Sequence, residues 1–341
     1  MGHIEIYNSK NVLIDANTLF SMFYPSGKQI QLTYDNSRAV ITEVGATLRI
    51  FEVGGEPVIW GFDENEICSA GRGQVLAPWP GRIQDGTYTF LGTQGVAGLD
   101  DLDRCCAIHG LVRWVPWKIQ DLTSESVQLE YWLAPQPAYQ FSLRLTVIYT
   151  LGNQGLTVNY HALNEGDKPL PFGIGFHPYL AVNNGSVDNA RIQIPASIRL
   201  LLSDRGLPVG TESVATTSHD FRQDNTSLRV SHEMRALGNL RMSDCYSDLS
   251  FEEDGNWRVL FKPSTYSETT VEVWGDHNFK YVLVFTGDPL PEGIRRRAVA
   301  IEPMTCPPNA FRTGKDVIIL QPGETNSGKW GISQLERTNL V

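Results

Sequence analysis

Apolar and polar positions alternate along many short stretches of this chain. Between positions 126 and 133, the residues Val127, Leu129, Tyr131 and Leu133 fall on one face of an extended chain. The same period of two occurs at positions 142–149, 156–160, 257–261 and 270–274. Because successive side chains of a β-strand point to opposite faces, this pattern predicts half-buried strands.

Glycine and proline interrupt nearly every stretch that would be long enough for a helix. The chain has 31 Gly and 19 Pro, and turn-forming pairs such as Gly152-Asn153 separate the strand-like stretches. No convincing amphipathic helix of more than about three turns is found. The pattern therefore predicts an all-β protein of stacked antiparallel sheets with very little helix. Neither a linker nor a fixed-period repeat divides the chain, so we expect residues 1–341 to form a single domain.

The charge and the cysteine content of the chain narrow its class. The net charge is −10 and the pI is near 5.2, so neither nucleic acid nor an anionic membrane surface is an expected partner. Residues 1–10 carry no apolar stretch of the signal-peptide type, and no run approaches the ~20 apolar residues of a membrane-spanning helix. The five cysteines are odd in number and lack a Cys-x-x-Cys pair. We therefore expect reduced thiols in a cytoplasmic protein rather than disulfides or a structural zinc site.

Two titratable residues stand at the edges of apolar, strand-like stretches. His177 follows the stretch 172–176, and Glu302 follows the stretch 298–301. A single histidine is more often a structural residue, but a carboxylate in an apolar run is harder to dismiss, because an unpaired buried charge is costly. Together, a histidine and a glutamate could move protons on a neutral substrate.

Two further segments place a polar residue among aromatic and proline residues. Arg82 lies in the segment 76–88 and His109 in the segment 107–117, and each taken singly could be a surface or structural residue. The seven histidines form neither His-x-His nor His-x-x-x-His, and no dinucleotide-binding loop or serine nucleophile elbow occurs. The sequence therefore predicts a protein without a metal and without a cofactor.

The four segments that hold Arg82, His109, His177 and Glu302 resemble the aldose 1-epimerase (galactose mutarotase) family and occur in its order. The resemblance spans most of the chain and implies a large antiparallel β-supersandwich. It implies that Glu302 is the catalytic base, that His177 is the catalytic acid, and that Arg82 and His109 hold sugar hydroxyls near the ring oxygen.

Two positions depart from the family pattern. A fifth family residue is an aspartate in the sugar site. A gapless alignment puts Ser243 at that position, but we assign the role to Asp244, one residue later. This choice matters because a slip of one residue on a strand moves the side chain to the other face. The second departure is Gly81, where the family commonly has Asn, and this puts the sugar preference in question.

The resemblance implies an isomerase that interconverts the α and β anomers of a free hexose such as glucose or galactose. His177 is then expected to be protonated in the resting complex, favoured by nearby carboxylates. The only partner expected is a small-molecule sugar, and the protein is expected to be a monomer or a weak homodimer. We expect one or two of the aromatic residues in or beside the motifs to line the site and the others to pack in the core. These aromatic residues are Trp79, Trp114, Tyr179 and Trp274.

Two alternatives stay open. A hexose-6-phosphate 1-epimerase would need clustered basic residues at the mouth of the site, and Arg295-Arg296-Arg297 is the candidate cluster, although we interpret it as a solvated loop. A non-catalytic carbohydrate-binding module would not require a His/Glu pair beside one sugar oxygen.

Overall fold

The structure is a computed structural model, and it describes residues 24–182, 185–222 and 234–335. In chain order its strands are β1 (Gln29–Tyr34), β2 (Ser37–Thr42), β3 (Leu48–Val53), β4 (Glu56–Pro57), β5 (Val75–Leu76), β6 (Arg82–Gln84), β7 (Thr87–Phe90), β8 (Thr93–Val96), β9 (Cys106–Ile108), β10 (Lys118–Leu122), β11 (Ser126–Leu133), β12 (Leu143–Gly152), β13 (Gly155–Asn164), β14 (Leu170–Phe172), β15 (Gly175–Phe176), β16 (Tyr179–Ala181), β17 (Arg191–Gln193), β18 (Ala196–Leu202), β19 (Pro208–Ser213), β20 (Arg235–Ala236), β21 (Ser243–Leu249), β22 (Trp257–Lys262), β23 (Thr270–Gly275), β24 (Tyr281–Phe285), β25 (Ala298–Met304), β26 (Ile318–Leu320) and β27 (Thr325–Leu335).

The helical structure in the part of the chain that the structure describes is short and includes three pieces with defined bounds. These are the 3₁₀ turns Leu102–Arg104 and Val187–Asn189 and the α-helix Ala310–Thr313. Strands make up 49% of the structure and helices 4%, which confirms the prediction of an all-β protein. None of the helices among the described residues is long and apolar enough to cross a membrane.

Two large antiparallel sheets dominate the structure. The first has nine strands in the order β10-β11-β12-β13-β27-β23-β22-β17-β20. The second has the order β19-β18-β21-β24-β25-β15-β5, and β16 also pairs with β25. Smaller sheets are formed by β1–β4, by β6 with β9, by β7 with β8 and by β14 with β26. The prediction that residues 1–341 form one domain is not tested by these sheets and stays a prediction.

The alternation seen in the sequence becomes the core between the two large sheets. In β12, every second residue from Leu143 to Leu151 is buried, and the residues between them are only partly so. One hydrophobic cluster joins residues of the nine-stranded sheet, such as Val147, to residues of the second sheet, such as Val284 and Ile301. The two sheets are therefore stacked face to face, as the period of two predicts.

The face of the second sheet that points away from this core carries Glu302. In β25, Val299 and Ile301 point into the core, so Glu302 points the other way. Glu302 pairs with Leu283 of the neighbouring strand β24, and Leu283 pairs with Cys245 of the next strand, β21. A polar site can form on this face without interrupting the hydrophobic core.

Candidate active site

Glu302 and His177 meet because two short strands bracket the histidine along β25. Gly175 of β15 pairs with Met304, and Tyr179 of β16 pairs with Ala300. The residue between these two contacts, His177, therefore lies next to Glu302. The distance from His177 Nε2 to Glu302 Oε1 is 3.3 Å, and the two side chains are 6% and 2% exposed.

The imidazole of His177 is closely packed by Tyr179 and Gly71. Its ring stacks on the ring of Tyr179, with centroids 4.9 Å apart and planes 17° from parallel. Gly71 also lies against the ring, since a Cβ atom there would stand only 2.9 Å from His177 Cδ2. Gly71 also has φ +75°, so both its backbone conformation and the space around it favour glycine.

His109 and Arg82 reach the same place from a two-stranded ribbon. Arg82 of β6 pairs with Ile108 of β9, and His109 follows directly. The ring centroids of His109 and His177 are 5.3 Å apart. Arg82 Nε donates to Asp101 Oδ2 at 2.7 Å, which fixes the guanidinium beside the site. The structure thus brings together Arg82, His109, His177 and Glu302, as the sequence predicts.

Burial sets the protonation of the His177–Glu302 pair. It raises the pKa of Glu302 to about 8, although the positive charge of Arg82 opposes this rise. It lowers the pKa of His177 to about 3; a hydrogen bond of the ring to its own backbone opposes this shift, and the charges of Arg113 and Arg82 add to it to a smaller extent. In the sugar-free protein at neutral pH, the pair therefore holds one proton, and the proton is on Glu302. The expectation that His177 is protonated concerns the resting complex with sugar and stays a prediction, whereas in the sugar-free protein burial disfavours the charged form of the ring.

His109 is fixed as a neutral hydrogen-bond donor. The backbone N–H of Gly81 donates to His109 Nδ1 at 3.2 Å, so the proton of the neutral ring is on Nε2. Burial lowers the pKa of His109 well below its usual value, with His177 and Arg113 adding to the effect. Nε2–H is therefore free to donate to a ligand oxygen.

The same tautomer bears on metal binding. One ligand atom each from His109, His177 and Glu302 lie within 4.8 Å of one another, which is a spacing that a metal ion could bridge. However, Nδ1 of His109 is occupied by the Gly81 N–H and Nε2 carries the proton, so neither nitrogen offers a free lone pair. The group suits a hydroxyl-bearing ligand better than a metal ion.

Asp244 and Ser243 lie on opposite faces of β21. Ser243 pairs with Phe285, which is two residues from Leu283 and therefore shares its face of the sheet with Leu283 and Glu302. Asp244 instead pairs with Val284, which points into the core. The Asp244 carboxylate accepts from Arg199 at 2.7 Å and lies 3.3 Å from His219 Nδ1. Burial raises the pKa of Asp244, opposed by His219 and Arg199. The structure thus does not bring the Asp244 carboxylate to the face of Glu302.

A cavity of about 290 Å³ adjoins Arg82. Its wall includes Ser243 and Asp244. These two residues lie just beyond the last pair between β18 and β21, which is formed by Leu200 and Cys245. Gly206 closes it next to Arg82, since a Cβ atom there would stand 2.8 Å from the guanidinium. The cavity is also lined by Arg104, Arg199, Leu201, Leu202, Ser203 and Asp204.

The four aromatic residues divide between the core, the site and the surface. Trp79 is buried against Phe311, and Trp274 is buried too. Tyr179 stacks on His177 and so belongs to the site. Trp114 is 53% exposed and packs only loosely over the guanidinium of Arg113, 5.7 Å away.

The basic cluster 295–297 does not line the cavity beside Arg82. Arg296 is committed to structure, since it pairs with Asp188 at 2.7 Å and with Asp288 at 2.9 Å. Arg297 is exposed at the edge of a separate cavity of about 980 Å³. The interpretation of the whole cluster as a solvated loop is therefore wrong for Arg296, and the cluster supplies no phosphate site beside Arg82.

Sequence reasoning missed Arg113 and Gln74, which lie behind the two histidines. Arg113 is 8% exposed and Gln74 is 1% exposed. Arg113 stands in the segment that also contains His109, but sequence alone does not distinguish a buried arginine from a surface one. A possible signal is its position between the apolar residues Val112 and Trp114.

Comparison with known proteins gives consistent results. A family model described as aldose 1-epimerase matches residues 28–333. The "Uncharacterized protein YihR" of Escherichia coli K12 is 30% identical over 302 residues, which cover 88% of this chain and 91% of that protein.

Two solved structures show the same fold at low sequence identity. The GalM/aldose epimerase homologue from C. elegans superimposes with a TM-score of 0.78 at 18% identity, covering 91% of this chain and 99% of the other. Galactose 1-epimerase from Lactobacillus acidophilus NCFM gives a TM-score of 0.72 at 18% identity, covering 97% and 98%. At this identity the two structures support the fold alone.

Proposed function

Because the chain belongs to the aldose 1-epimerase family, we propose that it interconverts the α and β anomers of a free hexose such as glucose or galactose. The observation that carries the proposal is the buried His177–Glu302 pair, with 3.3 Å between Nε2 and Oε1 and one proton between the two groups at neutral pH. Anomer exchange needs one group that accepts a proton and another that donates one, and this pair supplies both.

Ring opening uses the form of the pair in which the proton is on His177. Glu302 takes the proton of the anomeric hydroxyl while His177 gives its proton to the ring oxygen, and the bond between C1 and the ring oxygen breaks. The product is the open-chain aldehyde, and the pair is left as neutral Glu302 and neutral His177. After rotation about the C1–C2 bond, the same steps in reverse close the ring on the other face.

The state left by ring opening has the same protonation as the sugar-free protein. In that state, Glu302 is ready to protonate the carbonyl oxygen and His177 is ready to accept the proton of the hydroxyl that re-forms the ring. Formation of the opening-competent state requires the proton to cross from Glu302 to His177. The positive charge of Arg82 stabilises the Glu302 carboxylate in this state but disfavours the protonated ring of His177. Such acid–base catalysis typically contributes ~10²–10⁴-fold.

Arg82 and His109 are assigned to hold the sugar. His109 offers its Nε2–H as a donor, and Arg82 offers guanidinium N–H groups beyond the one that Asp101 occupies. For the fifth contact, the strand register favours Ser243 over Asp244, because only Ser243 shares the face of Glu302. A serine there holds a hydroxyl without adding a negative charge.

The test is polarimetry of freshly dissolved α-D-glucose and α-D-galactose, with D-glucose 6-phosphate in parallel. We expect acceleration of mutarotation for a free sugar. Acceleration for the phosphosugar alone would favour the hexose-6-phosphate alternative, and sugar binding without acceleration would favour a carbohydrate-binding module.

A metal requirement is tested in the same assay. We expect EDTA to leave the rate of mutarotation unchanged, because neither nitrogen of His109 has a lone pair free for a metal. Loss of activity in EDTA that a divalent ion restores would contradict the metal-free mechanism.

A further inference from the structure

Arg113 is buried behind the two histidines of the candidate active site. One of its terminal nitrogens, NH2, donates to the carbonyl oxygen of Ile108 at 2.9 Å and to Asp100 Oδ2 at 2.7 Å. Ile108 immediately precedes His109, so this bond fixes the backbone at the point where His109 enters the site. Asp100 in turn accepts from the Ile108 N–H at 2.7 Å, which holds the same residue from its other side.

Gln74 connects Arg113 to the other histidine. Its backbone carbonyl accepts from the N–H of His177 at 3.2 Å. Its side-chain amide donates to the carbonyl oxygen of Arg113 at 3.3 Å and its Oε1 accepts from Arg113 NH1 at 3.5 Å. A short chain of hydrogen bonds therefore runs from His177 through Gln74 and Arg113 to Ile108 and His109.

An ion pair between Arg113 and Asp100 at the surface would not require the guanidinium of Arg113 to be buried. Asp100 is 47% exposed, so Arg113 could reach it from solvent, yet its own side chain is only 9% exposed. Burial of a guanidinium is costly unless its hydrogen bonds are satisfied, and Nε of Arg113 has no partner among the described residues. The ion pair with Asp100 alone does not explain this burial, because that pair could form with an exposed guanidinium.

The charge of Arg113 also acts on both rings. Together with burial and with Arg82, it lowers the pKa of His109 and of His177. The other groups that face His177 are Glu302 at 3.3 Å, the ring of His109 and the ring of Tyr179. Arg113 is thus a buried positive charge, paired with Asp100, that acts on both histidines.

We propose that Arg113 is a positioning residue for anomer exchange: it sets the spacing of His109 and His177 through Ile108 and Gln74, and its positive charge acts on both rings. This inference rests on the proposed function for its catalytic part. Its structural and electrostatic parts concern the two histidines themselves and can be measured without turnover.

The experiment compares Arg113→Met, which removes the charge and the donors, with Arg113→Lys, which keeps the charge but not the planar fork. Arg49→Met is the matched control. Arg49 is also buried, at 6% exposure, and it also donates to a backbone carbonyl, that of Phe62, but it does not act on either histidine. For each protein, kcat and KM are measured by polarimetry, and the histidine rings are titrated by NMR down to the pH at which the protein unfolds.

In Arg113→Met we expect kcat to fall by about tenfold or more, and the pKa of His109 and of His177 to rise by about half a unit or more, since a nearby positive charge is lost. In Arg113→Lys we expect a fall in kcat with unchanged titration of both rings. Arg49→Met should change neither quantity, even if it lowers stability.

The proposal is overturned if Arg113→Met leaves either kcat or both titrations unchanged, or if Arg49→Met gives the same changes. If Arg113→Met does not fold, Arg113→Lys decides: wild-type kcat in that variant would contradict the positioning role. Should the wild-type protein fail to catalyse mutarotation, the proposed function fails, whereas the histidine titrations still test the electrostatic part of this inference.

Discussion

His177 Nε2 lies 3.3 Å from Glu302 Oε1, and both side chains are almost completely buried. At this distance the two groups interact directly in a site from which water is excluded. Burial moves their pKa values apart in opposite directions, to about 3 for His177 and about 8 for Glu302. Across this pH interval the pair therefore holds one proton, which is the state that a reversible acid–base exchange requires.

The pH dependence of kcat/KM follows from this shared proton, because this parameter reports the titration of the free enzyme. Above a pH of about 8 the pair loses its only proton as Glu302 ionises, so we expect kcat/KM to fall on the alkaline side. Toward lower pH it should stay flat through the usual titration range of histidine. Polarimetry at constant ionic strength checks this, and an acid limb near the ordinary pKa of histidine would contradict the assigned protonation.

The raised pKa of Glu302 also predicts a gain in stability on Glu302→Gln. In the unfolded chain the carboxyl ionises near its usual pKa of 4.5, while in the folded protein it stays protonated up to about pH 8. The unfolded state therefore binds fewer protons in this window, and stability falls as pH rises from 4.5 to 8. Glutamine does not ionise, so the variant should gain stability relative to wild type, and more at pH 8 than at pH 5.

Urea unfolding at these two pH values measures the stability difference. His177 has the opposite sign, since its lowered pKa removes stability as pH falls from 6.5 toward 3, and it is present in both proteins. A stability gain for Glu302→Gln that is equal at the two pH values would show that the carboxyl of Glu302 is not held neutral by burial.

Substitution of Ser243 and Asp244 should separate sugar binding from structure. Ser243→Ala removes a hydroxyl from the face of Glu302, so we expect KM to rise several-fold with little loss of stability. Asp244→Asn weakens the partner of the half-buried Arg199, so we expect a lower melting temperature. Polarimetry and thermal unfolding of both variants check this. A larger rise in KM for a fully folded Asp244→Asn would return the sugar contact to Asp244.

Much of the fold can be read from the sequence, because the strands of the nine-stranded sheet have one face in the core and one in water. In β12 this gives an unbroken alternation from Leu143 to Leu151. The four site residues that meet could be predicted too, since distinctive local sequence surrounds each of Arg82, His109, His177 and Glu302.

Other features depend on three-dimensional context. The choice between Ser243 and Asp244 needs the register of β21 against β24, which a shift of one residue reverses. The neutral state of His177 needs its burial, because exposed histidine next to a carboxylate would be protonated more readily. The position of Arg113 depends on hydrogen bonds to Gln74 and Ile108 that are formed only in the folded chain.

The catalytic pair is tested most directly by kcat of Glu302→Gln. Glutamine keeps the shape and the hydrogen bonding of the side chain but cannot accept the proton of the anomeric hydroxyl. We expect kcat to fall by about 10²-fold or more with little change in sugar affinity, because proton transfer occurs in the transition state. His177→Asn should give a similar loss. The double variant should be far less impaired than the product of the two losses, since both residues act in one event.

The decisive measurement is the polarimetric kcat of folded Glu302→Gln on the sugar that wild type accelerates best, with sugar affinity measured in parallel by calorimetry. The mechanism predicts a loss of about two orders of magnitude or more in kcat at near-wild-type affinity. A kcat close to that of wild type would contradict the assignment of Glu302 as the base, even though the fold and the family would stand.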